Sequence, residues 1–165
     1  MRSDYLCNLI VPGAAKSGTS ALHEYLRDHP MITMSEKKEP HHFCIDERYQ
    51  GGAHAHNQLF KPTKHSRYFG ESSTGYLPWP KAAERITRSL NKPKIIFLLR
   101  HPVARAFSHY RWRVRLGLEK RTLLDALDAD GYGYHPHRAT AYGWMAYLEF
   151  SQYTHQLHKL RPTFV

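Results

Sequence analysis

Apolar residues fall into short runs along the chain, and two of these runs carry the clearest strand signal. Tyr5–Val11 ends at a Pro-Gly pair, and Lys94–Leu99 ends at an Arg-His pair. Compact apolar runs with such ends are typical of buried parallel strands. The segment Thr19–Asp28 instead repeats its apolar residues at the spacing of one helix face. The chain is therefore predicted to begin with a strand, a glycine loop and a helix.

Weaker patterns extend this alternation. They predict short strands at Met31–Met34 and Arg67–Glu71, helices at Trp79–Leu90, Pro102–Leu116, Thr122–Ala129 and Gly143–Leu160, and a loop at Gly131–Thr140. The polar stretch Ser35–Ser66 is interpreted mainly as a loop with a helical turn, and a loop of that length inside a compact domain is usually functional or partly disordered. Strands that alternate with helices predict an α/β fold of the P-loop type, with a central parallel sheet between two layers of helices.

The predicted sheet brings three polar segments to one edge. Ligands of open parallel sheets bind beyond the carboxyl ends of the strands. The Gly13–Ser20 loop, the turn after Glu71 and Arg100 each follow a predicted strand. We therefore expect these three segments to line a common site.

The charge balance bears on the ligand rather than on the fold. The chain of 165 residues has the size of one domain, and 24 Lys and Arg against 14 Asp and Glu give a net charge of +10. Such a surplus favours anionic partners such as nucleotides, acidic glycans, nucleic acid or membrane surfaces. No nucleic-acid module is recognised, and no apolar run approaches the roughly 20 residues of a membrane span. These features predict a cytoplasmic protein, and a form trimmed of a membrane anchor would share them.

The loop after the first strand has the composition of an anion-binding site. Gly13 and Gly18 leave backbone amides accessible, and the following helix adds the positive end of its dipole. Thr19 and Ser20 add hydroxyl donors, but Thr19 stands where an ATP-binding Walker loop has its lysine. Lys16 lies in the middle of the loop instead. This position predicts a nucleotide whose 5′-phosphate carries one small transferable group, bound without a metal.

Two segments resemble the cofactor-binding elements of the sulfotransferases. "PGAAKSGTS", Pro12–Ser20, resembles the loop that holds the 5′-phosphosulfate of 3′-phosphoadenosine 5′-phosphosulfate (PAPS). "KIIFLLRHPVARAFSHY", which starts at Lys94, resembles the family's 3′-phosphate element. The resemblance implies PAPS as the donor and 3′-phosphoadenosine 5′-phosphate (PAP) as the product. It also implies these cofactor-binding residues: Ala15, Lys16, Ser17, Gly18, Thr19, Ser20, Arg100 and Ser108.

A third segment, "KKEPHHF" from Lys37, is similar to the one that carries the general base in heparan-sulfate sulfotransferases and their bacterial relatives. This similarity implies Glu39 as the base and Lys16 as the cation for the leaving phosphate oxygen. His41 and His42 are alternative bases, because histidine titrates nearer to neutral pH than an ordinary glutamate does. The expected acceptor is a hydroxyl or amine of a small molecule or glycan, acidic ones included. Four nearby residues are interpreted either as acceptor contacts or as part of the core and its rim: Ser72, Ser73, Tyr76 and Trp79.

Two other functions fit parts of this pattern. A P-loop kinase of small molecules would need the Gly-Lys-Ser/Thr sequence that this loop lacks. A non-catalytic remnant that binds nucleotides or acidic glycans is favoured by the net charge and by the short ending, "HKLRPTFV". The family typically continues past this point, so residues 1–165 are interpreted as a single sulfotransferase-like domain without the usual C-terminal part. The sequence does not predict an oligomeric state.

The remaining candidate groups carry weaker signals. The closely spaced histidine pairs lack the helical spacing and companion ligands of a strong metal motif, so no metal is predicted. Two cysteines in so long a chain predict no disulfide. Arg111, Arg113 and Arg115 alternate along a predicted helix and therefore do not share one face. They are interpreted either as attracting an acidic acceptor or as a solvated surface.

Overall fold

The computed structural model of the chain describes residues 4–130 and 146–164. Its strands are β1 (Leu9–Gly13), β2 (Ile32–Met34), β3 (Tyr68–Ser72) and β4 (Lys94–Phe97). Its helices are α1 (Thr19–Arg27), α2 (Asp46–Gln50), α3 (Gly52–Asn57), α4 (Pro80–Ser89), α5 (Pro102–Arg115), α6 (Leu123–Asp130) and α7 (Tyr153–Phe164), with a 3₁₀ helix at Glu149–Ser151. The strands form one parallel sheet in the order β2-β3-β1-β4. The predicted α/β fold with a central parallel sheet is thus confirmed.

The centre of the sheet is β1, which pairs with β3 on one side and β4 on the other. All five of its residues are buried, as expected of a strand covered on both faces. Leu9 pairs with Gly70 in β3 and with Lys94 in β4. At Gly70 a Cβ would meet the Met34 sulfur, so a larger residue there would require the Met34 side chain to move. The end of the Met34 side chain thus occupies the space that the glycine leaves open.

Helix α4 packs its apolar face into the main core. Ala82, Ile86 and Leu90 recur at helical spacing and are buried in the same cluster as Ile10 of β1 and Phe43. The cluster lies under the segment between β2 and β3, so that segment rests on packed side chains. Burial of an Ile86-sized side chain contributes roughly 1.5–3 kcal/mol. The core therefore holds the polar segment with the candidate base against the sheet.

Some predicted element boundaries differ from the structure. The stretch Ser35–Ser66 is mainly loop, as predicted, but it contains two short helices, α2 and α3, where the sequence predicts one helical turn. The last helix begins at Tyr153, later than predicted, because Tyr147 and Ser151 precede it and are held by Arg105 of α5. Helix α7 also continues through position 162, where the sequence predicted its end. The predicted loop at 131–140 and residues 143–145 lie outside the described residues.

Candidate functional site

The glycine loop between β1 and α1 is shaped by three residues with positive φ, of which Lys16, at φ 68°, lies in its middle. Gly13 has φ 137°, and a Cβ there would lie 3.2 Å from Leu77 Cβ and 3.3 Å from the Thr74 carbonyl oxygen. Gly18, with φ 97°, precedes the first residue of α1. No side chain of the described residues caps this helix, and its first-turn amides have no partner within the helix. These donors and the helix dipole make the loop a suitable anion cradle.

The loop is anchored to the residue that follows β4. The Ala14 amide donates to the Leu98 carbonyl at 2.7 Å, and the Leu98 amide donates to the Gly13 carbonyl at 2.9 Å. The Ser17 amide turns inward and donates to the Ala14 carbonyl at 3.2 Å. Ser17 lines neither of the two cavities described below, so its amide serves the loop itself. The other loop residues in the predicted set line the larger of these cavities.

Two cavities open beside this loop and meet at Lys16. The larger, which we name the Glu39 cavity, has a volume of about 540 Å³. Ala15, Lys16, Gly18, Thr19 and Ser20 supply its loop side. The smaller, the Arg100 cavity, has a volume of about 330 Å³ and is lined by Lys16, Arg100, Ser108 and further residues of α5. The structure therefore brings all the predicted cofactor-binding residues except Ser17 to one of two adjoining spaces.

Lys16 and Trp112 form the boundary that the cavities share. The Lys16 ammonium lies 5.0 Å from the centre of the Trp112 ring, within the range of a cation–π contact. Burial lowers the pKa of Lys16, and the charges of Arg115, Arg100 and Lys38 lower it further. An ammonium crowded by other cations gains from an anion that binds among them.

Glu39 lies on the wall of the larger cavity in a fixed orientation. Its backbone has φ 58°, and its amide donates to the Ser72 carbonyl at the end of β3. Its carboxylate accepts the Thr74 amide at 2.7 Å and the Thr74 hydroxyl at 3.2 Å. Lys38 Nζ lies 2.6 Å from the same carboxylate. The glutamate is therefore held by a strand end, a turn and a neighbouring cation.

His41 faces the same cavity beside Glu39. Its Nε2 lies 3.5 Å from Glu39 Oε2, and its amide donates to the Ser73 hydroxyl. Burial lowers the pKa of His41, while the Glu39 charge opposes that effect. Ser73 in turn donates to Glu71, which is fully buried. A chain of hydrogen bonds thus runs from the core to the backbone of the His41 segment.

His42, the other candidate base, points into the core and lines neither cavity. It is 4% exposed and contacts the rings of Tyr5, Phe43 and His56. Burial lowers its pKa to about 3, helped by the charges of His56 and Arg85. A histidine that stays neutral beneath the surface has no route to an acceptor proton. The sequence could not show this, because adjacent residues were equally plausible as bases.

The proposed acceptor contacts on β3 and its turn also lie away from the cavities. Tyr76 is 1% exposed and donates to Glu71, and Trp79 packs against the core. Ser72 is buried and hydrogen-bonds to His23 at 3.0 Å. These side chains are part of the core on which the site rests, or pack against it. Thr74 and His109 line the Glu39 cavity instead, and neither was identified from the sequence.

A group of metal-type ligands lies in the core away from both cavities. Cys7, His56 and Glu71 are all buried, with one ligand atom of each within 4.8 Å of the others. Protein donors already engage the carboxylate, since His56, Ser73 and Tyr76 all lie within 3.0 Å of its oxygens. Burial raises the pKa of the Cys7 thiol well above its usual value, which opposes metal binding. Both cysteines are free.

Helix α5 supplies the far wall of the Arg100 cavity. Arg100 donates to the Lys16 carbonyl at 3.1 Å, which joins the end of β4 to the glycine loop. Ser108, Arg111 and Arg115 line the cavity from one face of α5. Arg113 is buried elsewhere and donates to the Leu118 carbonyl at 3.3 Å. Of the three alternating arginines, Arg111 and Arg115 therefore line the cavity and Arg113 does not. The i, i+4 spacing of Arg111 and Arg115 is the sequence signal for this shared face.

Comparisons with known proteins identify curated relatives of the chain. The chain is 34% identical over 113 residues to membrane-associated sulfotransferase kil1 of Dictyostelium discoideum, covering 67% of this chain and 24% of that protein. It is 34% identical over 108 residues to mouse heparan sulfate glucosamine 3-O-sulfotransferase 3A1, covering 66% of this chain and 27% of that protein. The chain thus spans about a quarter of the length of these curated relatives. No family model matches it.

A solved structure extends the likeness over nearly the whole chain. The crystal structure of a sulfotransferase from Alicyclobacillus acidocaldarius superimposes with a TM-score of 0.82 and 31% sequence identity. The match covers 96% of this chain and 69% of that one. Within the described ranges, the chain has no helix with the length and hydropathy needed to span a bilayer. Sequence and fold together place the chain in the sulfotransferase family.

Proposed function

We propose that this chain binds PAPS and transfers its sulfuryl group to a hydroxyl or amine acceptor by in-line displacement. The observation that carries the proposal is the meeting of two cavities at one lysine. The Arg100 cavity offers guanidinium groups, whereas the Glu39 cavity offers a fixed carboxylate. A donor with two separate phosphates requires cationic groups such as the guanidinium groups. An acceptor with a dissociable proton requires a base such as the carboxylate.

The residues around Lys16 fit a sulfated adenylate better than a triphosphate. The first-turn amides of α1 and the hydroxyls of Thr19 and Ser20 would hold the 5′-phosphate. Arg100 and Ser108 would hold the 3′-phosphate on the other side of Lys16. The Walker lysine position is occupied by Thr19, so the arrangement lacks the usual lysine contact with a terminal phosphate. After the transfer, the same contacts would hold PAP, the other product.

The transfer assigns one task to each of two charged groups. Glu39 would accept the proton of the acceptor O–H or N–H while the acceptor oxygen or nitrogen forms its bond to sulfur. The bond from sulfur to the bridging oxygen of the donor breaks, and that oxygen leaves with the electron pair on PAP. Lys16 would neutralise the charge that collects there, as cations do in the related phosphoryl transfers. His41, at 3.5 Å from Glu39, would orient the carboxylate or receive its proton.

The lining of the Glu39 cavity indicates the class of acceptor. Lys38 and Lys16 give the Glu39 cavity positive charge, while Trp112 and His109 give it ring surfaces. This mixture suits a sugar or a planar alcohol that carries an acidic group, because rings stack on such faces and cations attract carboxylate or sulfate. The heparan sulfate named for the mouse relative is one acceptor of this kind.

A transfer assay tests the proposal. Radiolabelled PAPS is incubated with the protein and a panel of a phenol, a simple alcohol, a neutral oligosaccharide and an N-sulfated glucosamine oligosaccharide. We expect label in at least one acceptor, and a loss of about 10²-fold or more for Glu39→Gln, since general bases contribute on that scale. PAP binding should persist in this variant. Binding without transfer to any acceptor would instead support the non-catalytic remnant.

A further inference from the structure

One face of α5 forms a cationic wall in the Arg100 cavity. Ala104, Ser108, Arg111 and Arg115 follow one another at helical steps of four, three and four residues, and all line the cavity. Phe107 and Trp112 flank this stripe and also line the cavity. The wall therefore combines two guanidinium groups, a hydroxyl and two aromatic rings on a regular element.

The charges that line this cavity all have the same sign. Lys16, Arg100, Arg111 and Arg115 are its ionisable lining residues, and none of its lining residues is acidic. Across residues 4–130 and 146–158, none of these three arginines forms an ion pair with a carboxylate. Like charges around a small space repel one another, and an anion with more than one charge relieves that repulsion.

Arg115 and Arg111 approach different parts of the space. Among nearby charges, Arg115 lowers the pKa of Lys16 most, ahead of Arg100, which indicates that its guanidinium is close to the glycine loop. The guanidinium carbon of Arg111 lies 5.8 Å from the centre of the Phe107 ring, one turn earlier on α5. Both side chains are exposed, so they can turn towards a ligand. Arg113, between them, is buried and faces away.

We propose that Arg111 and Arg115 bind the second phosphate of the donor together with Arg100, and so determine the preference for a 3′-phosphorylated nucleotide. This inference rests on the proposed function, since it assumes that the nucleotide lies across both cavities. A guanidinium donates two parallel hydrogen bonds to a phosphate, and a dianion can accept from several of them. The 5′-phosphate lies on the loop amides instead. The two arginines should therefore act on one phosphate and leave the other nearly unaffected.

The test compares two nucleotides that differ only in the 3′-phosphate. Dissociation constants of PAP and of adenosine 5′-monophosphate are measured by calorimetry for the wild type, Arg111→Gln, Arg115→Gln and the double variant. Arg88→Gln is the matched control, because it removes the same charge from an exposed helix position that lines neither cavity. Circular dichroism confirms that each variant is folded.

We expect PAP binding to weaken about three- to tenfold in each single variant and about thirtyfold in the double variant, as partly exposed charge-assisted hydrogen bonds would give. Monophosphate binding should change less than about twofold, and Arg88→Gln should change neither. Equal weakening of both nucleotides would overturn the inference, since it would indicate only a general electrostatic field. An unchanged preference in the double variant would overturn it as well.

A further variant separates this inference from the proposed function. If Arg100→Ala abolishes the preference for PAP and the α5 variants do not, the function stands and the inference fails. If the wild type does not prefer PAP to the monophosphate at all, the proposed donor is wrong and the inference fails with it.

Discussion

Replacement of His42 by phenylalanine should separate the two histidines that the sequence leaves equivalent. His42 is buried among aromatic rings, and its Nε2 lies 3.2 Å from the Tyr5 hydroxyl. Phenylalanine keeps a ring of similar size in the cluster and removes the group that can be protonated. The variant should therefore retain sulfate transfer and change the acid stability of the protein.

The magnitude follows from the pKa of the buried ring. Burial lowers the pKa of His42 to about 3 from the ordinary 6.5, so the folded state resists a proton that the unfolded chain accepts. Its contribution to stability is fully present above pH 6.5 and is lost as the pH falls towards 3. Between pH 7 and pH 5 this loss amounts to about 2 kcal/mol, from 1.36 kcal/mol for each pH unit of the difference. For a chain of this size, that is about 4–8 °C in melting temperature.

The assay is thermal and urea unfolding of both proteins at pH 7, 6 and 5. The wild type should lose about 2 kcal/mol more than His42→Phe over this range, whatever the absolute stability of the variant at pH 7. The other histidines are common to both proteins, so the difference isolates position 42. Parallel pH profiles would refute the account of a neutral buried ring. Loss of sulfate transfer in a folded variant would refute the assignment of Glu39, rather than His42, as the base.

Three further predictions concern the glycine loop, the orientation of Glu39 and the buried carboxylate of Glu119. Gly13→Ala should lower the free energy of unfolding by about 1–3 kcal/mol in urea titration, because a side chain at φ 137° meets Leu77 and the Thr74 carbonyl; an unchanged midpoint would contradict the loop geometry. Thr74→Val should lower kcat severalfold and leave the PAP dissociation constant unchanged, because it removes one of the hydrogen bonds that fix Glu39; a selective effect on PAP binding would place Thr74 on the donor side. Arg121 and the Tyr147 hydroxyl hold the pKa of Glu119 at about 2, below its ordinary 4.5, so the stability it contributes is present above pH 4.5 and lost towards pH 2. Glu119→Gln should remove this contribution to the pH dependence of the free energy of unfolding, measured in acid. A pH slope equal to that of the wild type would contradict the prediction.

The parts of the fold that depend on residues close together in the sequence could be predicted from it. The β1 strand, the glycine loop and α1 are contiguous, and their apolar spacing and glycines specify them locally. Helix α5 was likewise bounded correctly by Pro102 and by Gly117, which has φ 70° just beyond its end. Such elements form because local propensity and tertiary packing agree.

Features that join distant segments could not be predicted in this way. His42 is buried because Tyr5 and His56 come together around it, and nothing in "HHF" distinguishes it from His41. Tyr76 was a candidate for contacting the acceptor, yet its hydroxyl donates a hydrogen bond to the buried Glu71 carboxylate. The division of the site into two cavities also depends on where Trp112 lies relative to Lys16. These relations follow from the packing of the sheet and helices rather than from any one segment.

The most direct test of the central claim is a calorimetric titration with PAP and with ATP, the latter with and without Mg²⁺. Lys16 in the middle of the loop should make PAP bind at least about tenfold more tightly than ATP under either condition, and Lys16→Met should weaken PAP binding by a similar factor. Tighter binding of ATP in the presence of Mg²⁺, or full PAP affinity in Lys16→Met, would contradict it.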